Sequence, residues 1–320
     1  MNRNLALELV RITEAAALAS SRWMGRGDEK KADQAAVDAM RKAFDRVLMK
    51  GEVVIGEGER DEAPMLYIGE KVGQVGPDAP ELDIALDPLE GTTICAKGSY
   101  GAISVIAAGE KGHLLKAPDV YMDKIACGPA ARGAIDLDAT PTENIHRVAE
   151  CLRKNVEDVT VVILDRPRHQ ALIEEVRKTG ARIYLIGDGD VSAAIAAAWP
   201  DSGIDMLLGI GGAPEGVISA AALVCLGGDF QGRLKYQKPA DEERAQKMGL
   251  KDLHKKWQRD ELASGKVMFC ATGVTNGPLL EGVKFLSHRL VRTQSLVMRS
   301  ESGTIRKIEA LHDLNKLPKI

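Results

Sequence analysis

Apolar residues recur at helical spacing at Leu5, Leu9, Ile12 and Ala16, and again at Val37, Met40, Phe44 and Val47 after the polar stretch 26–31. Two amphipathic helices are predicted there. Strand-like runs follow at 53–55, 82–86 and 102–107. Between the first two, 61–71 reads as a helix or turn, and the Gly/Pro cluster from Gly73 to Pro80 as a surface loop. From about residue 159 strand and helix alternate. Apolar runs at 159–164, 181–186 and 204–210 precede helical patterns at 168–178, 191–198 and 215–225. This rhythm predicts parallel βαβ units, whose ligands bind beyond the carboxyl ends of the strands. A polar helical stretch is expected at 241–260, with strands at 267–271 and 294–298. The expected division is a subdomain 1–158 and a subdomain 159–320, with the segment after residue 260 able to return to either half.

Composition narrows the class. Hydrophobic content of 45% against 28% charged residues fits a soluble globular chain rather than a disordered or membrane one. The net charge is −3 with no basic stripe, which argues against a nucleic-acid partner. The five cysteines, Cys95, Cys127, Cys151, Cys225 and Cys270, form no C-x-x-C pair. A disulfide framework and a thiolate zinc site are therefore not expected, and a reducing cytoplasm is. No signal-peptide run and no stretch of about 20 apolar residues points to a membrane.

The candidate chemistry sits after the apolar runs. Asp87-Pro88-Leu89-Glu90-Gly91-Thr92-Thr93 follows the run 82–86. Pro88 is expected to stop the strand, and Gly91 to permit a tight turn. Two carboxylates three residues apart make a hard-oxygen pocket, better suited to Mg²⁺ or Mn²⁺ than to zinc. An isolated Asp-Pro is more often a plain turn; the whole segment behind a buried strand reverses that preference. Glu57, between Gly56 and Gly58, follows another apolar run, and alone reads equally as an exposed acidic loop. Asp33 stands just before the helix carrying Val37, where an acid is commonly a cap.

Three later loops add opposite charge and glycine. Asp165-Arg166-Pro167-Arg168-His169 offers two arginines to a phosphate, or merely a basic helix entrance. Gly187-Asp188-Gly189-Asp190 offers acceptors for sugar hydroxyls, or a cap. The segment 209–216 offers backbone that a substrate can approach, and Glu215 at a helix start within reach of a metal. Neither G-x-G-x-x-G nor G-x-x-x-x-G-K-[ST] occurs in it, so dinucleotide and nucleotide triphosphate chemistry lack support. Metal-assisted hydrolysis of a phosphate ester would use all of these groups.

Val10 to Ala16, Met24 to Gly27, Val54 to Glu59, Asp61 to Lys71, Ala117 to Lys124, Asp188 to Asp190, Gly211 to Gly216 and Ala271 to Thr275 together closely resemble the class II fructose-1,6-bisphosphatases of bacteria, nearly end to end. Asp87 to Thr92 is also similar to the D-P-x-D-G-T signature of the wider lithium-sensitive phosphatases, which include inositol monophosphatases; here Glu90 replaces the second Asp. The resemblance implies an α/β fold, a layered α-β-α-β-α sandwich of the sugar phosphatase type with two subdomains. It implies metal ligation by Asp33, Glu57, Asp87, Glu90 and Glu215, the last brought by the second subdomain. It implies substrate contacts from Glu90, Gly91, Thr92, Tyr121, Arg166, Pro167, Arg168, Asp188, Gly189, Asp190 and Gly212. Arg166 stands where some relatives have Lys; Arg can fork onto a phosphate where Lys is a point charge.

The reaction so implied is gluconeogenic hydrolysis of the 1-phosphate of fructose 1,6-bisphosphate by a metal-activated water. Thr92, bonded to Asp33 or Glu57, would orient that water. The implied cofactor is Mn²⁺ or Mg²⁺, the partner a sugar bisphosphate, and the assembly a homo-oligomer, dimer or tetramer. Tyr121, read alone, is as well explained as a partly buried aromatic. Two rival readings stand beside this one: an enzyme acting also on sedoheptulose 1,7-bisphosphate, and a sugar-phosphate-binding regulator without catalysis.

Overall fold

The computed structural model describes residues 3–58 and 64–316; the expected helix or turn at 61–71 therefore lies partly outside the described residues, as does Glu59. The chain opens with α1 (Leu5–Ser20) and α2 (Glu29–Phe44). Leu9, Ile12, Met40 and Phe44 on their inner stripes are fully buried, as a 3.6-residue period requires of helices lying on a sheet. Asp28, not Asp33, caps α2 by accepting from the Lys31 N–H at 3.0 Å.

Strand β1 (Lys50–Ile55) pairs with the short β2 (Lys71–Val72) and runs parallel to β3 (Glu81–Glu90). Contrary to expectation, Pro88 does not end β3. The ladder to β4 (Ile103–Glu110) shifts register between Asp87 and Glu90 and resumes at Glu90 opposite Ile103. A bulge absorbs the proline, which lacks a donor. The turn comes at Gly91 (φ 87°), which leads into α3 (Thr92–Lys97).

Next come β5 (Tyr121–Cys127), α4 (Pro141–Leu152), β6 (Thr160–Leu164), α5 (Gln170–Thr179), β7 (Arg182–Ile186), α6 (Asp190–Ala198), β8 (Met206–Gly212) and α7 (Ala213–Leu226). The expected βαβ rhythm holds: β6 is parallel to both β7 and β8. The sheet is nevertheless mixed, because β5 is antiparallel to β8 and to β9 (Asp229–Lys235). The polar stretch expected as one helix at 241–260 divides into α8 (Pro239–Lys247), β10 (Lys256–Gln258) and the single turn α9 (Arg259–Leu262). The chain closes with β11 (Val267–Gly273), β12 (Lys284–Phe285), β13 (Leu290–Arg299) and β14 (Thr304–Asp313).

Two compact units result. One comprises 1–113 and 266–320; its sheet runs β12-β13-β11-β4-β3-β1-β2, with β14 on β13. The other comprises 114–265, with the sheet β10-β9-β5-β8-β6-β7. The expected boundary at 158/159 falls inside the second unit, because β5 is hydrogen-bonded between β8 and β9. The segment after residue 265 returns to the first unit, where Met268, Cys270, Val291 and Val297 share the core of α1 and α2. No helix among the described residues is long and apolar enough to cross a membrane.

Candidate functional site

In the first unit the acids gather at the carboxyl end of the parallel pair β1 and β3. Glu57 follows β1 on a loop held by its own N–H, which donates to the Leu66 carbonyl at 3.1 Å. Gly56 is required there, since a Cβ would meet that carbonyl oxygen at 2.0 Å. Leu66 is fully buried at φ 55°, and its N–H donates to the Glu70 carboxylate, which also binds Arg41. The loop is thereby fastened to α2.

Asp87 sits at the bulge, where one carboxylate oxygen accepts from the Leu89 N–H at 3.0 Å. Its carboxylate and that of Glu90 offer oxygens within 4.8 Å of each other. Burial, then Asp87, then Asp33 push the Glu57 carboxyl up to about 8. Burial also raises that of Asp33, which lies within α2. The helix-cap reading of Asp33 therefore gives way: it is a half-buried acid facing other acids. Asp87 and Asp33 both repel the Glu57 carboxyl, and Glu90 lies beside Asp87; such a group needs a proton or a cation, and oxygen donors of this kind fit a hard divalent ion. Gly91 and Thr92 follow at once, Thr92 as the first residue of α3.

In the second unit the candidates stand at the carboxyl ends of β6, β7 and β8, as the βαβ rule requires. Tyr121, at the start of antiparallel β5, registers opposite Gly212. The Arg168 guanidinium lies 4.9 Å from the centre of the Tyr121 ring and donates twice to the Ile210 carbonyl, at 2.7 and 3.1 Å. Arg166 is 3.8 Å from Asp188, both partly exposed, with Pro167 between the two arginines. Gly189 (φ 83°) turns the chain into α6, whose first residue, Asp190, is buried and accepts from Lys124 Nζ at 2.8 Å.

The glycines of β8 serve these carboxylates. A Cβ on Gly211 would lie 1.9 Å from Asp190 Oδ2, and one on Gly212 would lie 1.9 Å from Glu215 Oε2. The bare backbone expected to face a substrate is thus also the cradle in which Asp190 and Glu215 lie.

Two residues escaped the sequence reading. Lys124 is 1% exposed in the middle of β5; standing beside Asp123 in a segment not marked as a strand, it gave no local signal of burial. His169 is buried, with Nδ1 2.7 Å from the Leu164 carbonyl and Nε2 accepting from the Ile210 N–H at 2.8 Å. Together with Arg168 it holds both backbone polar groups of Ile210. Gly209 (φ 136°) leaves room for the ring, which a Cβ would meet at 3.0 Å.

Acceptance at Nε2 requires neutral imidazole, and burial lowers the His169 pKa below the ordinary histidine value. A depressed folded pKa gives stability that is present above the unfolded pKa and lost as pH falls through that value toward the folded one. The melting temperature is expected to fall from about pH 7 to pH 5, and less steeply in His169→Gln, which keeps an acceptor but cannot titrate. Parallel melting curves for the two proteins would show that the ring does not link folding to pH.

The family model described as bacterial fructose-1,6-bisphosphatase, glpX-encoded, matches residues 3–312. The chain is similar to the D-fructose 1,6-bisphosphatase class 2/sedoheptulose 1,7-bisphosphatase of a Synechococcus species, 50% identical over 98% of this chain and 96% of the relative. It is similar to the protein of the same description from a Synechocystis species, 48% identical over 100% of this chain and 99% of the relative. The solved extragenic suppressor protein SuhB of Bartonella henselae aligns with 62% of this chain and 74% of its own, at 15% identity and TM-score 0.35.

Proposed function

We propose this chain's reaction from its kinship: the chain belongs to the bacterial, glpX-encoded fructose-1,6-bisphosphatase family. It hydrolyses the 1-phosphate of D-fructose 1,6-bisphosphate to fructose 6-phosphate and phosphate, a step of gluconeogenesis in the cytoplasm. The observation that carries the reading is the gathering of Asp33, Glu57 and Asp87, where burial first, and then the charges of Asp87 and Asp33, push the Glu57 carboxyl up to about 8. Asp33, Glu57, Asp87, Glu90 and Glu215 are the residues proposed to hold a divalent ion, Mn²⁺ or Mg²⁺. When bound, such an ion polarises a phosphoryl oxygen and acidifies water.

The protein's own groups do the rest. The Thr92 hydroxyl, bonded to Asp33 or Glu57, orients the attacking water and helps remove its proton. Glu90, Gly91 and Thr92 bind the reacting end of the substrate. Tyr121, Arg166, Pro167, Arg168, Asp188, Gly189, Asp190 and Gly212 hold the sugar and its 6-phosphate. Arg166 and Arg168 supply the positive charge. Arg168 is already oriented by Ile210 and Tyr121. A homo-oligomer, dimer or tetramer, is part of the same reading.

A second reading, activity on sedoheptulose 1,7-bisphosphate as well, is favoured by the description that both cyanobacterial relatives carry. Turnover measured on the two sugars in parallel separates one activity from two.

The deciding experiment is phosphate release from fructose 1,6-bisphosphate. Release is expected with Mn²⁺ or Mg²⁺, to fall to background on chelation, and to return when the metal is restored. A folded, metal-loaded protein that binds the sugar bisphosphate without releasing phosphate would instead be a regulator.

A further inference from the structure

Strand β14 is a long edge strand that carries exposed charges of both signs, Arg306, Lys307 and Glu309. It is ten residues long, and among the described residues it pairs only with β13. Natural proteins usually shorten, bend or charge such an edge, because its outer side is a template for another strand. Here the odd-numbered side chains share one face of the sheet and read Ile305, Lys307, Glu309, Leu311. Ile305 is 40% and Leu311 61% exposed. The Leu314 N–H donates to the Arg289 carbonyl as the ladder to β13 begins. By antiparallel alternation, even-numbered residues of β14 then bond toward β13, and odd-numbered ones direct their backbone groups outward.

We propose that β14 is a self-complementary docking strand, which pairs antiparallel with β14 of a second copy of this chain about a two-fold axis at Ile308. In that register Ile305 faces Leu311 of the copy, and Lys307 faces Glu309 of the copy, each pair occurring twice by symmetry. Apolar side chains meet apolar ones, opposite charges meet, and both sets lie on the exposed face. The neighbouring same-face registers fail this match. Sliding the copy by two residues one way sets Lys307 against Lys307, and the other way sets Glu309 against Glu309. Like charges directly opposite are destabilising in a ladder, so the sequence selects one register of the three.

The existing contacts of these side chains are compatible with the pairing. Lys307 Nζ reaches the Leu279 carbonyl at 3.2 Å, and Arg292 lies 3.7 Å from Glu309. Beside the strand, α1 adds apolar surface. Glu14 of α1 binds Thr293, which binds His312 of β14. Leu7, two turns earlier on that stripe of the helix, is 48% exposed. The inference does not rest on the catalytic reading, and its test needs no substrate.

The test is sedimentation velocity of the full chain over a range of concentrations. Lys307→Glu and Glu309→Lys are each expected to raise the dissociation constant about tenfold or more, since each sets like charges opposite. The double swap Lys307→Glu/Glu309→Lys restores the opposite pairing and is expected to restore association. Its recovery also excludes misfolding as the cause of the single-variant losses. A wild type that stays monomeric at every concentration overturns the proposal. So does an oligomer indifferent to the single reversals, or one that the double swap fails to restore.

Discussion

Replacing Glu57 with glutamine is expected to lower turnover by roughly 10²–10⁴, the range that follows loss of a group handling a proton in the transition state. The substitution keeps the shape of the side chain and removes its charge. What it does to folding runs the other way. The Glu57 carboxyl is held at about 8 by burial and by Asp87 and Asp33. A carboxyl raised in the folded state costs stability as pH climbs from the ordinary glutamate value toward the raised one, because the unfolded chain ionises first. Without metal at neutral pH, Glu57→Gln is therefore expected to melt no lower than the wild type, even as turnover collapses. Phosphate-release kinetics with added metal and melting curves in chelator measure the two effects separately. Thr92→Ala is expected to show a loss of turnover of the same order if its hydroxyl orients the attacking water. Near-normal turnover of either folded variant would remove that residue from the reaction.

The acids of this site were legible for a physical reason. Asp87 and Glu57 each end a run of apolar residues that must be buried, so each is delivered to a sheet edge by the strand before it. The alternation of strand and helix from 159 to 225 likewise placed Arg166, Asp188 and Glu215 at one end of a parallel arrangement, and the structure has them at the carboxyl ends of β6, β7 and β8. Asp33 was ambiguous because an acid near a helix start is usually a cap. Only the hydrogen bond from Lys31 N–H to Asp28 assigns the cap elsewhere.

Other features depend on pairing, which local pattern does not encode. Proline usually ends a strand, yet β3 passes Pro88 because a bulge against β4 tolerates the missing donor. Strand β14 has no run of buried residues to reveal it, since among the described residues one neighbour, β13, specifies it over its whole length. The second unit begins at 114 rather than near 159 because β5 pairs with strands more than seventy residues later, Tyr121 with Gly212 and with Lys235. Such contacts follow from topology rather than from sequence-local periodicity.

Lys124 is the sharpest case of a residue hidden by its neighbours, and its replacement carries the second large expectation. Its side chain is 1% exposed and that of Asp190 7%, with Nζ and Oδ2 2.8 Å apart. A buried pair of this kind contributes little net stability against well-packed apolar residues, yet removing one partner strands the other charge out of water. Lys124→Met is therefore expected to cost about 3–5 kcal/mol, read from denaturant midpoints, the usual range for breaking a buried pair. The surroundings leave the stranded carboxylate little room to turn away, because it is packed on the bare backbone of Gly211. Removing both charges, as Lys124→Met/Asp190→Leu, is expected to cost clearly less than the single change, even though it alters two buried side chains. That inequality is the signature of a coupled pair, since two independent sites would add. A single change costing under about 1 kcal/mol would mean that water reaches Asp190 in the variant. The pair would then not be what fixes the start of α6 and the Asp188–Asp190 loop beside the arginines.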